Sequence, residues 1–214
     1  FQRVGLDFGI LYEGEQNAGN DVRRVGEEGL FEMLVEKNME AFSSCDFKSI
    51  VTTDPHSYNT LKNEYGDFSN STPVLHYTEL LDNLITSGDI KFTNKIDRCV
   101  TYHDPCYLGR YNGIYEAPRR VIEAAGGRLV EMPRSGDKSL CCGAGGGRIW
   151  MDEGNVTERP SESRIREAVE LNDVSDLVVS CPKDVTMYRD AVKTTSNEER
   201  LVVKDLIELV QDAL

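Results

Sequence analysis

The sequence repeats itself. Ile50-Val-Thr-Thr-Asp54-Pro-His-Ser57 lays over Val178-Val-Ser-Cys181-Pro-Lys-Asp184 when Asp54 is set against Cys181. Each peptide is a β-branched run entering an X-Pro step and then a helical pattern. Downstream, Tyr77-Thr-Glu79-Leu-Leu matches Val203-Lys-Asp205-Leu-Ile, and upstream the stretch from Asn17 to Arg24 corresponds to that from Cys141 to Arg148. A chain written twice from one unit has few folds open to it, because both copies must bury the same faces in the same order.

The pattern within each copy is alternating strand and helix. Strands are expected at Val4–Leu11, Ser49–Thr53 and Val74–Tyr77, then at Cys99–His103, Arg128–Met132, Leu177–Ser180 and Leu201–Val203. Helices are expected at Val25–Phe42, Tyr58–Tyr65, Glu79–Ile85, Pro118–Ala125, Ser163–Leu171, Thr186–Lys193 and Asp205–Leu214. Continuous apolar strands separated by helices imply parallel sheet covered on both faces. The expected fold is therefore α/β: two tandem Rossmann-like parallel-sheet units with approximate two-fold pseudo-symmetry. Residues 1–90 form the first unit and 91–214 the second, with Gly88, Asp89 and Asn94 breaking the pattern between them. At 214 residues and 39% hydrophobic content, the chain has enough material for a real core.

Four of the six cysteines stand in turn-like peptides at the ends of apolar runs: Cys106 in His103-Asp-Pro-Cys-Tyr-Leu-Gly-Arg110, the pair Cys141-Cys142 before Gly143-Ala-Gly-Gly-Gly147, and Cys181 before Pro182. Adjacent cysteines bridge to one another only with strain, so a metal is the better reading. In parallel α/β folds ligands gather at the carboxyl ends of strands, where Cys106 and Cys181 fall. These four thiols are expected to converge at the carboxyl edge of the second sheet. Cys45 and Cys99 lack this context and read as packing residues. Free thiols in an α/β chain point to a reducing, cytoplasmic compartment.

Net charge is −13, which argues against nucleic acid and anionic lipid as partners. No apolar run is long enough to span a bilayer. The chain opens at Phe1 in mid-pattern, so it reads as a fragment of something longer.

The two copies differ where the chemistry should be. Against Cys141, Cys142 and Cys181, the first copy has Asn17, Ala18 and Asp54, and the counterpart of Cys106 would precede Phe1. The first unit thus reads as a scaffold stripped of cysteine ligands. Replacing Asn17 or Asp54 with Ala should leave metal content unchanged, whereas Ser at Cys141, Cys142 or Cys181 should abolish it. Four thiolates suit a structural zinc as well as iron. The vicinal pair favours iron, because neighbouring cysteines reach two irons more easily than two corners of one tetrahedron. A zinc module and a metal-free interaction domain are the alternatives.

Together, Tyr102-His-Asp-Pro-Cys-Tyr-Leu-Gly-Arg110, Cys141-Cys-Gly-Ala-Gly-Gly-Gly-Arg148 and Cys181-Pro-Lys-Asp-Val-Thr-Met187 resemble the cysteine-rich CCG domain family. That family includes heterodisulfide reductase catalytic subunits, the glycolate oxidase iron–sulfur subunit and iron–sulfur oxidoreductases linked to electron-transfer flavoproteins. The resemblance extends to Gly26–Asn38 and Ile50–Tyr65, nearly the whole chain. It implies an oxidoreductase and a [4Fe-4S] cluster of non-cubane type, open to oxygen damage, to loss and to replacement by zinc. It implies an electron-transfer domain or subunit working with other redox subunits, an electron-transfer flavoprotein or a quinone-linked membrane module, at the inner face of a membrane. The family pattern ends in Cys-x-x-Cys, but this chain has Cys181-x-x-Asp184. The resemblance therefore makes Asp184 a fifth ligand, or leaves one iron open, and it favours electron transfer over disulfide cleavage. Gly143 and Gly145 are expected to direct their amides at thiolates or sulfides, since the loop lacks the flanking strand and helix of a dinucleotide site. His103 and Asp104 read as outer-shell donors or strand-end caps, Arg110 and Arg148 as counter-charges or surface ion pairs, and Trp150 as packing.

Overall fold

The computed structural model describes residues 1–152 and 154–214. The elements run α1 (Asn20–Arg24), α2 (Glu28–Ser43), β1 (Ile50–Thr52), α3 (Pro55–Asn63), α4 (Asp67–Ser71), β2 (Val74–His76) and α5 (Tyr77–Ser87). They continue with β3 (Arg98–Tyr102), α6 (Glu116–Ala124), β4 (Gly127–Leu129), α7 (Pro160–Val169), β5 (Asp176–Val179), α8 (Pro182–Thr194), β6 (Val202–Asp205) and α9 (Leu206–Ala213). Every strand pairing is parallel, in a two-stranded sheet β1-β2 and a four-stranded sheet β4-β3-β5-β6.

The α/β fold of two parallel-sheet units is the one the repeat implies. In the first half, β1, α3, β2 and α5 follow in order, and β1 pairs with β2 from Ile50↔Val74 to Thr52↔His76. The second half repeats this with β5, α8, β6 and α9, paired from Asp176↔Val202 to Val179↔Asp205. Asp54 and Cys181 hold the same place: each is the N-cap of a helix with Pro in its first turn. Pro is at home there because its missing N–H would have no intrahelical acceptor. The match of Glu79 with Asp205 does not hold. Asp205 caps α9, and the residue capping α5 is His76. The cause is the intervening segment: the first half stops α3 after Asn63 and inserts α4, whereas α8 runs on for 13 residues.

The strand expected over Val4–Leu11 is not formed. Gln2–Val4 and Tyr12–Gly14 are single 3-10 turns, with Gly5 in the left-handed region at φ 68°. Phe8 and Ile10 are about half exposed, so no sheet face stands opposite to reward an extended ladder. Cys99 is buried as a packing residue, but Cys45 is exposed, just past the end of α2. Trp150, read as core or interface packing, is 81% exposed and so is not part of the core.

All four residues of β5 are buried, and its Val178 joins one apolar cluster while Leu177 and Val179 join the other. Each such aliphatic side chain contributes about 1.5–3 kcal/mol on burial. Helix α5 covers its own sheet and packs on the second half as well. Its Tyr77 and Leu81 pack with Val121 and Ile122 of α6 and Leu209 and Val210 of α9 in one cluster. The Tyr77 hydroxyl donates to Asp205 Oδ1 at 2.7 Å, tying the two halves together.

Candidate metal centre

In the four-stranded sheet, the chain leaves β3 towards β4 on one side, while β5 leads to β6 on the other. The carboxyl ends of β3 and β5 therefore flank a topological switch point, where open α/β sheets hold their ligands. Two of the peptides singled out in the sequence emerge there. His103 follows β3, its N–H bound to Val178 O at 2.9 Å, and the turn Pro105–Gly109 then presents Cys106. Ser180 follows β5, and Cys181 caps α8.

The glycine-rich loop closes the site from the side. Gly143 adopts φ 88°, and a Cβ there would meet Pro160 of α7 at 3.2 Å. Its N–H points at Cys141 Sγ, 3.4 Å away. This is the amide-to-thiolate contact expected of the loop. Among the described residues the loop is followed by a 3-10 turn, Arg148–Trp150, and not directly by the helix a dinucleotide site requires.

The thiols behave as one group. The Cys141 thiol is pulled far down, first by the Cys106 thiol, then by that of Cys142, with the Gly143 amide adding to both. Cys106 and Cys142 shift the other way, first through the neighbouring Cys141 and then through removal from water. Cys181, 1% exposed, is pushed up by burial and then by the charges of Asp184 and Asp54. Asp184 is buried as well. Its carboxyl is pushed up to about 7 by burial, and the Cys141 thiolate pushes the same way while a bond from Cys142 opposes both.

The electrostatics make Cys106, Cys141, Cys142 and Asp184 a chain of interacting neighbours, with Cys181 next to Asp184. The group of three ligand atoms within 4.8 Å of one another among the described residues is Cys181 with Asp54 and His56. Without a cation, only one of these donors ionises readily, since several anions at low dielectric repel one another. A positive ion of soft character would take the remaining protons off. Orphaned polar atoms point the same way. Asp184 Oδ2 has no hydrogen-bond partner among the described residues, nor do Nε and Nη2 of the fully buried Arg164. Arg164 is held by Glu167 at 2.9 Å and by the Arg134 carbonyl at 2.7 Å, and its charge acts on both Asp184 and His103. The donor set fits an anionic, thiolate-ligated metal group with a buried cation beside it.

The surrounding residues take definite roles. Asp104 is a structural acid, bidentate to Arg119 at 2.6 and 3.0 Å and accepting Gly136 N–H at 2.8 Å. His103 is 1% exposed, 3.6 Å from Asp184 Oδ2, with the Tyr188 hydroxyl 3.2 Å from its Nδ1. Burial and then Arg164 keep its ring neutral. Arg110 bonds the Ser139 carbonyl and so fixes the approach to Cys141. Arg148 is exposed. Sequence reasoning missed Arg164, which looks like one more charged position on an amphipathic helix. It also missed the first half's share of the site. Asp54 and His56 lie beside Cys181, and Gly145 packs against the His56 ring.

Residues 100–183 match the family model of the cysteine-rich domain CCG, so this part of the chain is a CCG domain. Over nearly its whole length the chain is homologous to iron–sulfur oxidoreductases. It is 41% identical over 212 residues to the "Probable iron-sulfur-binding oxidoreductase FadF" of Bacillus subtilis, covering 99% of this chain and 30% of that protein. To the "EtfAB:quinone oxidoreductase" of Syntrophomonas wolfei it is 38% identical, with 99% and 30% covered. To a subunit of the dihydromethanophenazine:CoB--CoM heterodisulfide reductase of Methanosarcina barkeri it is 32% identical, with 99% and 53% covered. The chain therefore spans about a third to a half of the length of these relatives. No described helix is long and apolar enough to cross a membrane.

Proposed function

We propose that the chain is the iron–sulfur electron-transfer portion of a larger heterodisulfide-reductase-like oxidoreductase. Cys106, Cys141, Cys142 and Cys181 are its thiolate ligands and Asp184 its carboxylate ligand. The two-unit reading of residues 1–90 and 91–214 belongs to this proposal, with the second unit carrying the cluster. The observation that supports it is the set at the β3/β5 switch point: the Gly143 amide 3.4 Å from Cys141 Sγ, the electrostatic coupling of Cys141 to Cys106 and Cys142, and the buried Asp184 carboxyl with an unpartnered oxygen among the described residues. The printed names of the relatives, iron-sulfur-binding and oxidoreductase, supply the redox class.

A cluster of [4Fe-4S] composition, non-cubane in form, would supply one-electron storage here. The chain's own residues do the rest. Gly143 brings its backbone amide to the Cys141 sulfur, and Gly145 extends the same loop. Arg164 offsets the negative charge of the thiolates, and burial excludes water. With Asp184 in place of a thiol, the site favours passing electrons over cleaving a disulfide. The partners are other redox subunits, an electron-transfer flavoprotein or a quinone-linked membrane module, reached from the cytoplasmic face.

Anaerobic reconstitution with iron and sulfide tests this. The expected product is brown, with broad visible absorption and stoichiometric acid-labile sulfide, and Ser at Cys141, Cys142 or Cys181 removes both. A colourless protein that binds zinc and leaves iron and sulfide in solution would overturn it.

A further inference from the structure

All the ligands assigned above come from the second half of the chain, yet the first half reaches the same place. An imidazole nitrogen of His56, a carboxylate oxygen of Asp54 and Cys181 Sγ lie within 4.8 Å of one another. Metal–nitrogen and metal–sulfur bonds of about 2.1 and 2.3 Å put two tetrahedral ligands roughly 3.6 Å apart, a gap within side-chain adjustment.

The two first-half residues are not equivalent. Asp54 is occupied by its own helix: its carboxylate accepts His56 N–H at 3.2 Å, Ser57 N–H at 3.0 Å and Ser57 Oγ at 2.8 Å. His56 has no such duty. It is 4% exposed, with the Tyr107 ring centroid 4.4 Å from its own. On another side stands Gly145, where an added Cβ would lie 2.8 Å from His56 Cε1. Its Nδ1 faces the Asn20 side-chain amide at 3.0 Å, which leaves Nε2 for a second partner. Asn20 presents Nδ2 to Nδ1 and Oδ1 to Thr60 Oγ1. Turning this amide over, at the cost of the Thr60 bond, gives Nδ1 the proton and leaves Nε2 its lone pair, the arrangement metal-binding histidines use.

We propose that His56 Nε2 is a ligand of the iron held by Cys181, so that the centre draws its donors from both halves. This rests on the cluster assignment made above and deepens it. The first half then acts as more than a scaffold, and the glycine at position 145 has a stated purpose, which is to let the ring approach. A neutral imidazole in place of a thiolate leaves the centre less negative, and such exchange raises reduction potential.

The test uses the full chain, reconstituted anaerobically with iron and sulfide, reduced, and compared with and without 15N-labelled histidine by pulsed electron paramagnetic resonance. A strong nitrogen coupling that changes with the label is expected, and His56→Ala should lose it together with iron. His56→Cys should keep the iron, lose the coupling and move the potential to more negative values. A cluster without nitrogen coupling, or a coupling that survives in His56→Cys and so belongs to His76 or His103, overturns the inference while leaving the cluster in place. A chain that takes up no iron and sulfide sinks both readings together.

Discussion

His76 is one of the buried histidines at which acid should loosen this protein. It caps α5, is fully buried, and holds Thr78 Oγ1 at 2.8 Å from its Nδ1. Burial drives its ring down to about 4 from an ordinary 6.5, against the opposing pull of the Thr53 and Ser180 carbonyls and the Asp54 charge. Above pH 6.5 the ring is neutral in both folded and unfolded chains and adds no pH dependence. As pH falls from there, the unfolded chain takes up a proton the folded chain refuses, and stability drains until the folded ring titrates near 4. At 1.36 kcal/mol per unit, this single group removes about 3 kcal/mol across the window. His76→Gln keeps a polar contact for Thr78 but does not titrate. Urea unfolding of metal-free protein, followed by circular dichroism from about pH 7.5 to about pH 4, should show the wild type losing about 3 kcal/mol more than the variant. Because shared carboxylates act on both proteins, only the difference matters. Parallel curves would refute the reasoning.

Three further substitutions probe the frame and the site. Tyr77→Phe removes the bond to Asp205, which still accepts Ile207 N–H at 2.9 Å, and should cost about 1.5 kcal/mol in denaturant unfolding. Gly147→Ala combines φ 79° with a Cβ 2.5 Å from Val25 Cγ1. It should cost about 2 kcal/mol, and Val25→Ala in the same chain should restore part of the lost melting temperature. Arg164→Leu leaves Glu167 with Arg134 alone and should cost about 3 kcal/mol. In the reconstituted protein the same change should also make the potential more negative.

What could be read from the chain depended on how local the signal was. The equivalence of Asp54 and Cys181 was legible because a strand, an X-Pro step and a helix leave their marks within a few residues. The extended reading of Val4–Leu11 failed because a strand needs a neighbour, and no local pattern shows whether one exists. The match of Glu79 with Asp205 slipped because spacing along the chain ignores the extra turn of α4. The thiols announced themselves through their glycine and proline surroundings. His56 did not, since its nearness to Cys181 and Gly145 arises from how the halves pack across long stretches of sequence. Arg164 stayed hidden because, by composition, a buried arginine on α7 looks like any solvated one.

The placement of α5 has a consequence for how such a chain evolves. A repeated module of this kind would ordinarily be free to separate into two genes. Here that freedom is gone. Tyr77 and Leu81 of α5 fill the face made by α6 and α9, so a chain begun after Gly88 would present Val121, Ile122, Leu209 and Val210 bare to water. The halves repeat one another in sequence but are inseparable in folding.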